Sequence, residues 1–381
     1  MTEKQRFNAT LDGICPDRAP WYADMGYYHH YLAQTKQLKP EWSGESGYFD
    51  MCRELGCGIM YYGRHPFDIY QGGGVEYAAH IDGDRAHLRY STPIGAITSE
   101  QTYSRQSYSY GITKHFVETI EDLRVMCHIY ENMRYEANFE PFERIGDLVG
   151  DDGVIFNIPP ICVSAVQKLT SRWAGVENLV GIIAEDGDEF DELIERIQAS
   201  ESDAYDIVCG FGERYVEFCE NLSSEVTGRG YFEKYNMPYY KKLNDKLHKA
   251  GKKTGIHIDG TLSPCLALLP QCGFDLAESV TPAPVGDIGL GSLRETVGDD
   301  FVIMGGLPGA LFSARYSEEF FDEYLKNLAK ASKPGEKFIV GVADQVPPDA
   351  VIGRMQKVRA MIDSNKCNIC MGGDNFGHRR Q

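Results

Sequence analysis

The feature that most constrains this chain is a recurrence. A short β-branched run is followed by an amphipathic stretch, again and again along the sequence. In the second half GKKTGIHIDG reads as a strand and SPCLALLPQCG as a helix closed by Gly273. DLAESVTPAP and FVIMGGLPG are further strands. The charged helix SEEFFDEYLKNLAKAS leads into the strand KFIVGVADQVPP and the helix PDAVIGRMQKVRAMID. Continuous apolar runs mark strands buried on both faces, and regular alternation with helices implies parallel pairing. The first half follows the same order less regularly, through YFDMCRELG, CGIMYYG, GVIFNIPP, DEFDELIERIQAS and RYVEFCENLSS. Strands are expected near 20–24, 57–62, 153–158, 214–219, 254–259, 275–280, 301–305 and 337–342. Eight βα units predict an α/β fold, a single-domain (β/α)8 TIM-type barrel over 1–381. VEYAAHIDGDRAHLRYSTPIGAIT alternates with a period near two around Asp82-Gly83-Asp84, so a β-hairpin insertion is expected over about 74–98. VETIEDLRVMCHIYENMRYEAN has helical apolar spacing. A doubly wound open sheet is the alternative, but no G-x-G-x-x-G follows a strand.

Charge narrows the partners. Lys and Arg number 38 against 56 Asp and Glu, a formal charge of −18, and 43% of residues are hydrophobic. Such a polyanion repels phosphate backbones and anionic lipid, so nucleic acid and membrane are not expected partners. No charged-then-apolar leader opens the chain, and no apolar run approaches the ~20 residues of a bilayer span. The 11 cysteines are scattered and odd in number, as expected of free thiols in the cytoplasm. The tail over about 365–381 is expected to be loosely ordered.

Reactive groups of a barrel sit at the C-terminal ends of its strands. One strand ends Glu220-Asn221, and another His257-Ile258-Asp259, with His257 and Asp259 two apart and so on one side. The next strand delivers Glu278, and the last delivers Asp344-Gln345 before Pro347-Pro348. One imidazole and three carboxylates can thus converge. They could ligate a divalent metal, zinc being at home with His and carboxylate oxygen. They could equally form a metal-free acid/base cluster with one carboxylate held protonated. A merely polar barrel rim is the bland reading. Tyr22, Tyr27, Tyr28, Tyr61 and Tyr62 fall where the mouth is expected. The first four are candidates for binding an aromatic substrate, though packing is the commoner role of such rings.

HKAGKKTGIHIDG, CGFDLAESVTPAPVGD, FVIMGGLPG and FIVGVADQVPPDAVIGRMQKVRAMI together resemble the uroporphyrinogen decarboxylase superfamily, and most of all its corrinoid-dependent methyltransferase branch. NIPPICVSAVQKLTSRWAGVENLVGIIAEDGDEFDELI is similar to the family's middle section more loosely, and the first 100 residues only weakly. The resemblance implies a (β/α)8 barrel. It also implies decarboxylase relatives with an R-Q-A-G-R-Y segment after the first strand, where this chain has APWYADMGYYHHYL. Without those arginines a substrate of eight carboxylates loses its partners and meets Asp24, so porphyrinogen decarboxylation is not expected.

In the thiol-methylating branch a His-x-Cys, a later Glu and a final Cys hold zinc. Here His257 and Glu278 match, while Asp259 and Asp344 stand where the cysteines would be. The resemblance implies His257, Asp259, Glu278 and Asp344 as a zinc site or its acid/base equivalent, with Asp259 and Asp344 catalytic; Glu220 and Asn221 join the catalytic set by their position at a strand end alone. Carboxylate donors would leave zinc more Lewis-acidic and suit an oxygen leaving group. The implied activity is transfer of a methyl group from a small donor, first of all a methoxylated aromatic in an O-demethylation, to the cobalt of a separate corrinoid protein. The chain itself has no D-x-H-x-x-G cobalamin motif. A decarboxylase or other lyase acting on a small substrate, or a catalytically silent binding barrel, are the alternatives. Cys265 and Cys272 read as buried small hydrophobes. Cys367-x-x-Cys370 with His378 is a weak metal signal, and the glycines at 72–74 and in GGLPG lack the lysine of a phosphate loop.

Overall fold

A computed structural model describes residues 1–63, 65–156 and 163–366. The chain divides into two compact units, Met1–Arg64 with Pro141–Ile158 and Glu213–Gln381, and His65–Glu140 with Pro159–Gly212.

The first unit carries eight parallel strands. They are β1 (Trp21–Tyr22), β2 (Ile59–Tyr62), β3 (Gly153–Phe156), β4 (Tyr215–Leu222), β5 (Lys253–Ile258), β6 (Leu276–Val280), β7 (Val302–Pro308) and β8 (Phe338–Ala343). Hydrogen-bonded ladders run in the order β4-β5-β6-β7-β8-β1. A parallel bridge from Tyr22 to Gly58 leads on to the β2–β3 pair. The rings of Phe156 and Tyr215, 4.9 Å apart, bring β3 back to β4. This is a TIM barrel, and each strand lies within a few residues of its expected position.

The barrel interior is a packed core, as alternation demands. Met60, Val154, Phe156, Tyr215, Leu276, Val302, Met304 and Ile339 form one buried cluster with Tyr22. Phe7 and Leu11 join that cluster from the helix Glu3–Leu11, whose capping box uses Thr2 and Gln5. Most of these strand residues are the first or second of their strands, so this helix plugs the N-terminal end of the barrel. The opposite end is left for polar groups.

Local chemistry explains the departures from expectation. SPCLALLPQCG forms two 3₁₀ turns, Cys265–Leu268 and Pro270–Cys272, because Pro270 has no N–H to continue a helix. Gly273 does close the segment, at φ +83°. The helix over Ile120–Glu131 stops at Asn132, and Met133–Ala137 is a strand antiparallel to Phe67–Gln71. The expected hairpin exists, with Glu76–Asp82 paired to Arg85–Thr92. It is half of a four-stranded antiparallel sheet completed by Gly95–Ser104 and Ser109–Lys114, all in the second unit. That unit also contains the helix Gly175–Ser200 and a buried ion pair, Lys168 Nζ to Glu201 Oε1 at 2.8 Å. The insertion is thus a compact unit in its own right rather than a lone hairpin. The cysteines described are free thiols. No described helix is long and apolar enough to cross a membrane. The expected tail, with Cys367, Cys370 and His378, lies almost wholly outside the described residues.

Candidate active site

Parity along each strand decides which side chains meet inside the barrel. On β5 Gly255 and His257 face inward, and a Cβ at Gly255 would collide with the Tyr215 hydroxyl and with Glu217 of β4. On β6 Leu276 and Glu278 share that side, and the parallel register sets His257 directly beside Glu278. The two side chains accordingly pair, His257 Nδ1 with Glu278 Oε2. Tyr62, ending β2, donates its hydroxyl to the same Oε2 at 3.3 Å. Asp344, immediately after β8, sets Oδ1 3.7 Å from His257 Nε2. Both imidazole nitrogens therefore face carboxylates. His257 is 7% exposed and Glu278 1%, while the Asp344 side chain is 46% exposed at the rim.

Two further carboxylates complete the group. Asp24 lies just past β1 and is 6% exposed. Its carbonyl accepts from Val346 N–H at 2.9 Å, and its Oδ1 accepts from Gly26 N–H at 2.7 Å. The Tyr48 hydroxyl stands 3.5 Å from the same Oδ1 and 3.2 Å from Met60 O, and accepts from Met25 N–H at 3.2 Å. Glu217 is fully buried and accepts from the Tyr215 hydroxyl.

These neighbours set the protonation states. Burial disfavours the His257 cation, but the Glu278 charge and hydrogen bond outweigh it, with help from Asp344 and Glu217, and raise the imidazole to about 9. Burial pushes the Asp344 carboxyl up; His257 pulls it back, and Glu278 and Asp259 push it further. Burial raises Asp24 to about 7; Gly26 N–H opposes this, Asp344 and Glu278 add to it, and His257 subtracts. Burial holds the Tyr62 phenol well above its usual value, and the charges of Glu278 and Asp24 add to that, so it stays a donor. The assembly is an imidazolium ringed by carboxylates, with protons to spare.

Of the residues singled out in the sequence, His257, Glu278 and Asp344 are brought together. Asp259 is exposed beyond them, accepts from Gly260 N–H at 2.7 Å, and acts on Asp344 only through its charge. Glu220 departs from expectation. Three residues on from Glu217, it has the opposite parity, and it accepts from Asn236 Nδ2 at 2.7 Å and from the Tyr240 hydroxyl in the buried helix layer. Asn221 is exposed at φ +47°, where a bulge breaks the β4–β5 register. Tyr22 is inward but deep in the core: it is fully buried against Phe7 and donates to Glu3 O at 2.9 Å, on the plugged side. Tyr61 has the parity of the helix layer and packs on Phe49 and Tyr48, at ring separations of 5.3 and 6.3 Å. Tyr27 is at the rim, its N–H donating to Gln345 Oε1 at 3.0 Å, and Tyr28 follows it, half-buried near Lys39 and Tyr31. The sequence reading left out Asp24, Tyr62 and Glu217 as site residues. Reading the end of the 20–24 strand by the rule used for the others would have found Asp24, and inward parity with Tyr215 would have found Glu217.

The donors do not assemble as the expected zinc set. Glu278 is committed to Nδ1, which leaves His257 Nε2 and Asp344 facing one another with Asp259 turned to Gly260 N–H. Among the described residues no three His, Cys, Asp or Glu side chains are grouped to hold a metal ion. Structural and catalytic zinc sites use three or four protein ligands.

Comparisons with known proteins agree with the fold. The solved structure of a methyltransferase from Methanosarcina mazei is similar over 96% of this chain and 99% of that one, with a TM-score of 0.60 and 13% identity. D-psicose 3-epimerase with D-tagatose from Clostridium cellulolyticum H10 aligns over 60% of this chain and 78% of that one at 12% identity, with a TM-score of 0.33 that carries no weight. No curated protein sequence matches. The family model described as uroporphyrinogen decarboxylase (URO-D) matches residues 166–366, more than half of the chain and the stretch that supplies β4 to β8 with His257, Glu278 and Asp344. The chain belongs to the uroporphyrinogen decarboxylase family.

Proposed function

We propose that this barrel is a methyltransferase that takes a methyl group from a small donor, a methoxylated aromatic, and passes it to the cobalt of a separate corrinoid protein. The observation that carries the reading is the buried His257–Glu278 pair with Asp344 facing Nε2 and Asp24 close by. It is a proton-rich cluster at the open end of the barrel. Besides His257, the charges that act on Asp344 are the carboxylates of Glu278 and Asp259. Such a site suits a neutral ether better than an eight-fold carboxylate, which like charges would repel. The similarity of fold to the Methanosarcina mazei methyltransferase supports the same class of reaction.

Methyl transfer from an ether is a displacement at carbon, and its barrier lies in the leaving oxygen. The reduced corrinoid supplies the nucleophile. The cluster supplies a proton to the oxygen as the C–O bond breaks, so that a phenol leaves instead of a phenolate. Glu278 and Tyr62 fix the His257 ring, and the low exposure around them keeps that electrostatic field strong.

The test is spectroscopic. The protein is mixed with reduced cobalamin and, separately, methoxyaromatics, methylamines and methylthiols, and the reduced-cobalt band is followed. Loss of the band with aromatic ethers alone is the expected result. Loss with an amine or thiol would keep methyl transfer and replace the donor. No loss with any donor, repeated with a corrinoid protein and with zinc added, would sink the reading in favour of a lyase or a silent binder.

A further inference from the structure

Three acids of the cluster could deliver the proton, and their hydrogen bonds separate them. Both imidazolium N–H groups of His257 are directed at carboxylates, Nδ1 at Glu278 and Nε2 toward Asp344. A proton leaving either nitrogen would strip a buried carboxylate of its counter-charge. Asp344 is the most exposed member; burial raises its carboxyl, and the imidazolium it faces only opposes that rise, so its proton sits against the His257 cation. Asp24 differs from both. Its Oδ1 is fixed as an acceptor by Gly26 N–H, so a proton on this carboxyl resides on Oδ2, which has no hydrogen-bond partner among the described residues. The backbone holds the residue there, through Val346 N–H on its carbonyl. A Cβ at Gly26 would stand 3.0 Å from Oδ1, so a larger residue there would push the Asp24 carboxyl from this position.

We propose that Asp24 is the catalytic acid of this site, carrying its proton on Oδ2 and giving it to the leaving atom of the substrate. The groups that face it are Tyr48 and Cys52 from the helix Gly47–Leu55, Tyr62 from β2, His257 from β5, Glu278 from β6 and Asp344 after β8. Of the charges among them only that of His257 favours the carboxylate, and burial with two like charges holds the group at about 7. The inference rests on the methyl-transfer reading for the identity of the step. In that step the methyl C–O bond breaks, its electron pair stays on oxygen, and the Oδ2 proton moves to that oxygen. The methyl carbon accepts the electron pair of the reduced corrinoid. Phenol and the Asp24 carboxylate are left.

Two measurements on the full chain test this. Labelled aspartate side-chain carboxyls are followed by ¹³C NMR across neutral pH in the wild type and in Asp24→Asn. Methyl transfer to reduced cobalamin is then compared for an aryl methyl ether, whose oxygen needs a proton, and a methylsulfonium, whose thioether leaves without one. We expect one resonance titrating near 7 that is missing in the variant. The variant is expected to slow the ether ~10²–10³-fold while leaving the sulfonium within ~3-fold. Absence of that resonance, or equal slowing of both donors, would overturn the assignment of Asp24. No transfer from either donor by the wild type would overturn the methyl-transfer reading and the delivery step together, and the resonance would still report whether Asp24 holds the proton.

Discussion

Replacing Glu278 by Gln removes the charge that keeps His257 protonated while preserving side-chain volume. The imidazole stands at about 9 against a model value of 6.5. A gap of roughly 2.5 units at 1.36 kcal/mol per unit is about 3 kcal/mol of stability carried by the His257 proton. The sign follows from the direction of the shift. A raised folded-state pKa contributes in full below the unfolded value near 6.5, declines as pH rises through the folded value near 9, and vanishes above it. Glu278→Gln is therefore expected to cost about 3 kcal/mol at pH ~6 and close to nothing at pH ~10. Chemical unfolding followed by tryptophan fluorescence measures this, in a Trp173→Phe background where Trp21 and Trp42 report on the barrel unit. Histidine ¹⁵N shifts give the His257 titration directly. A penalty that stays flat or grows with pH, or a wild-type His257 titrating near 6.5, would refute the reasoning.

Other perturbations follow the same physics. Asp24 is held at about 7 against 3.8, so the native state binds the extra proton between those values and loses stability as pH rises through that window. Asp24→Asn should then unfold at higher denaturant than wild type at pH ~8, with the gain gone below pH ~4; an equally large gain at low pH would contradict this. In the second unit, Lys168→Met leaves Glu201, fully buried, without its cation. A loss of ~3–5 kcal/mol is expected at neutral pH, read from the Trp173 signal, and a variant as stable as wild type would show that the pair is dispensable. Gly255→Ala drives a methyl group into the Tyr215–Glu217 pair. It should cost ~1–3 kcal/mol by overpacking, and a thermal unfolding midpoint equal to wild type would mean that the pair can move aside.

The β-then-α recurrence was enough for the barrel, because a strand buried on both faces needs an unbroken apolar run and a parallel partner needs a crossover. That is why strands from KTGIHI to FIVGVA lie where they were expected. His257, Glu278 and Asp344 were legible for a related reason: polar residues ending apolar runs have only the open end of a barrel to occupy. Parity was where the sequence reading failed. Nearness to strand ends points Glu220 and Tyr61 to the pocket, yet side chains alternate, and one step moves a residue from the interior to the helix layer.

The sequence by itself determined the barrel, its eight strands, the acidic character of the open end and the lack of arginines after β1, all of which depend on local pattern and composition. Only the tertiary structure decided which acids share one imidazole, and that Asp24, more than 230 residues before His257, feels it. It also decided that Glu278 pairs with Nδ1 of His257. Hydrogen bonds and pKa shifts depend on distances of a few ångströms between different strands, and those distances are fixed by register and packing, not by spacing along the chain.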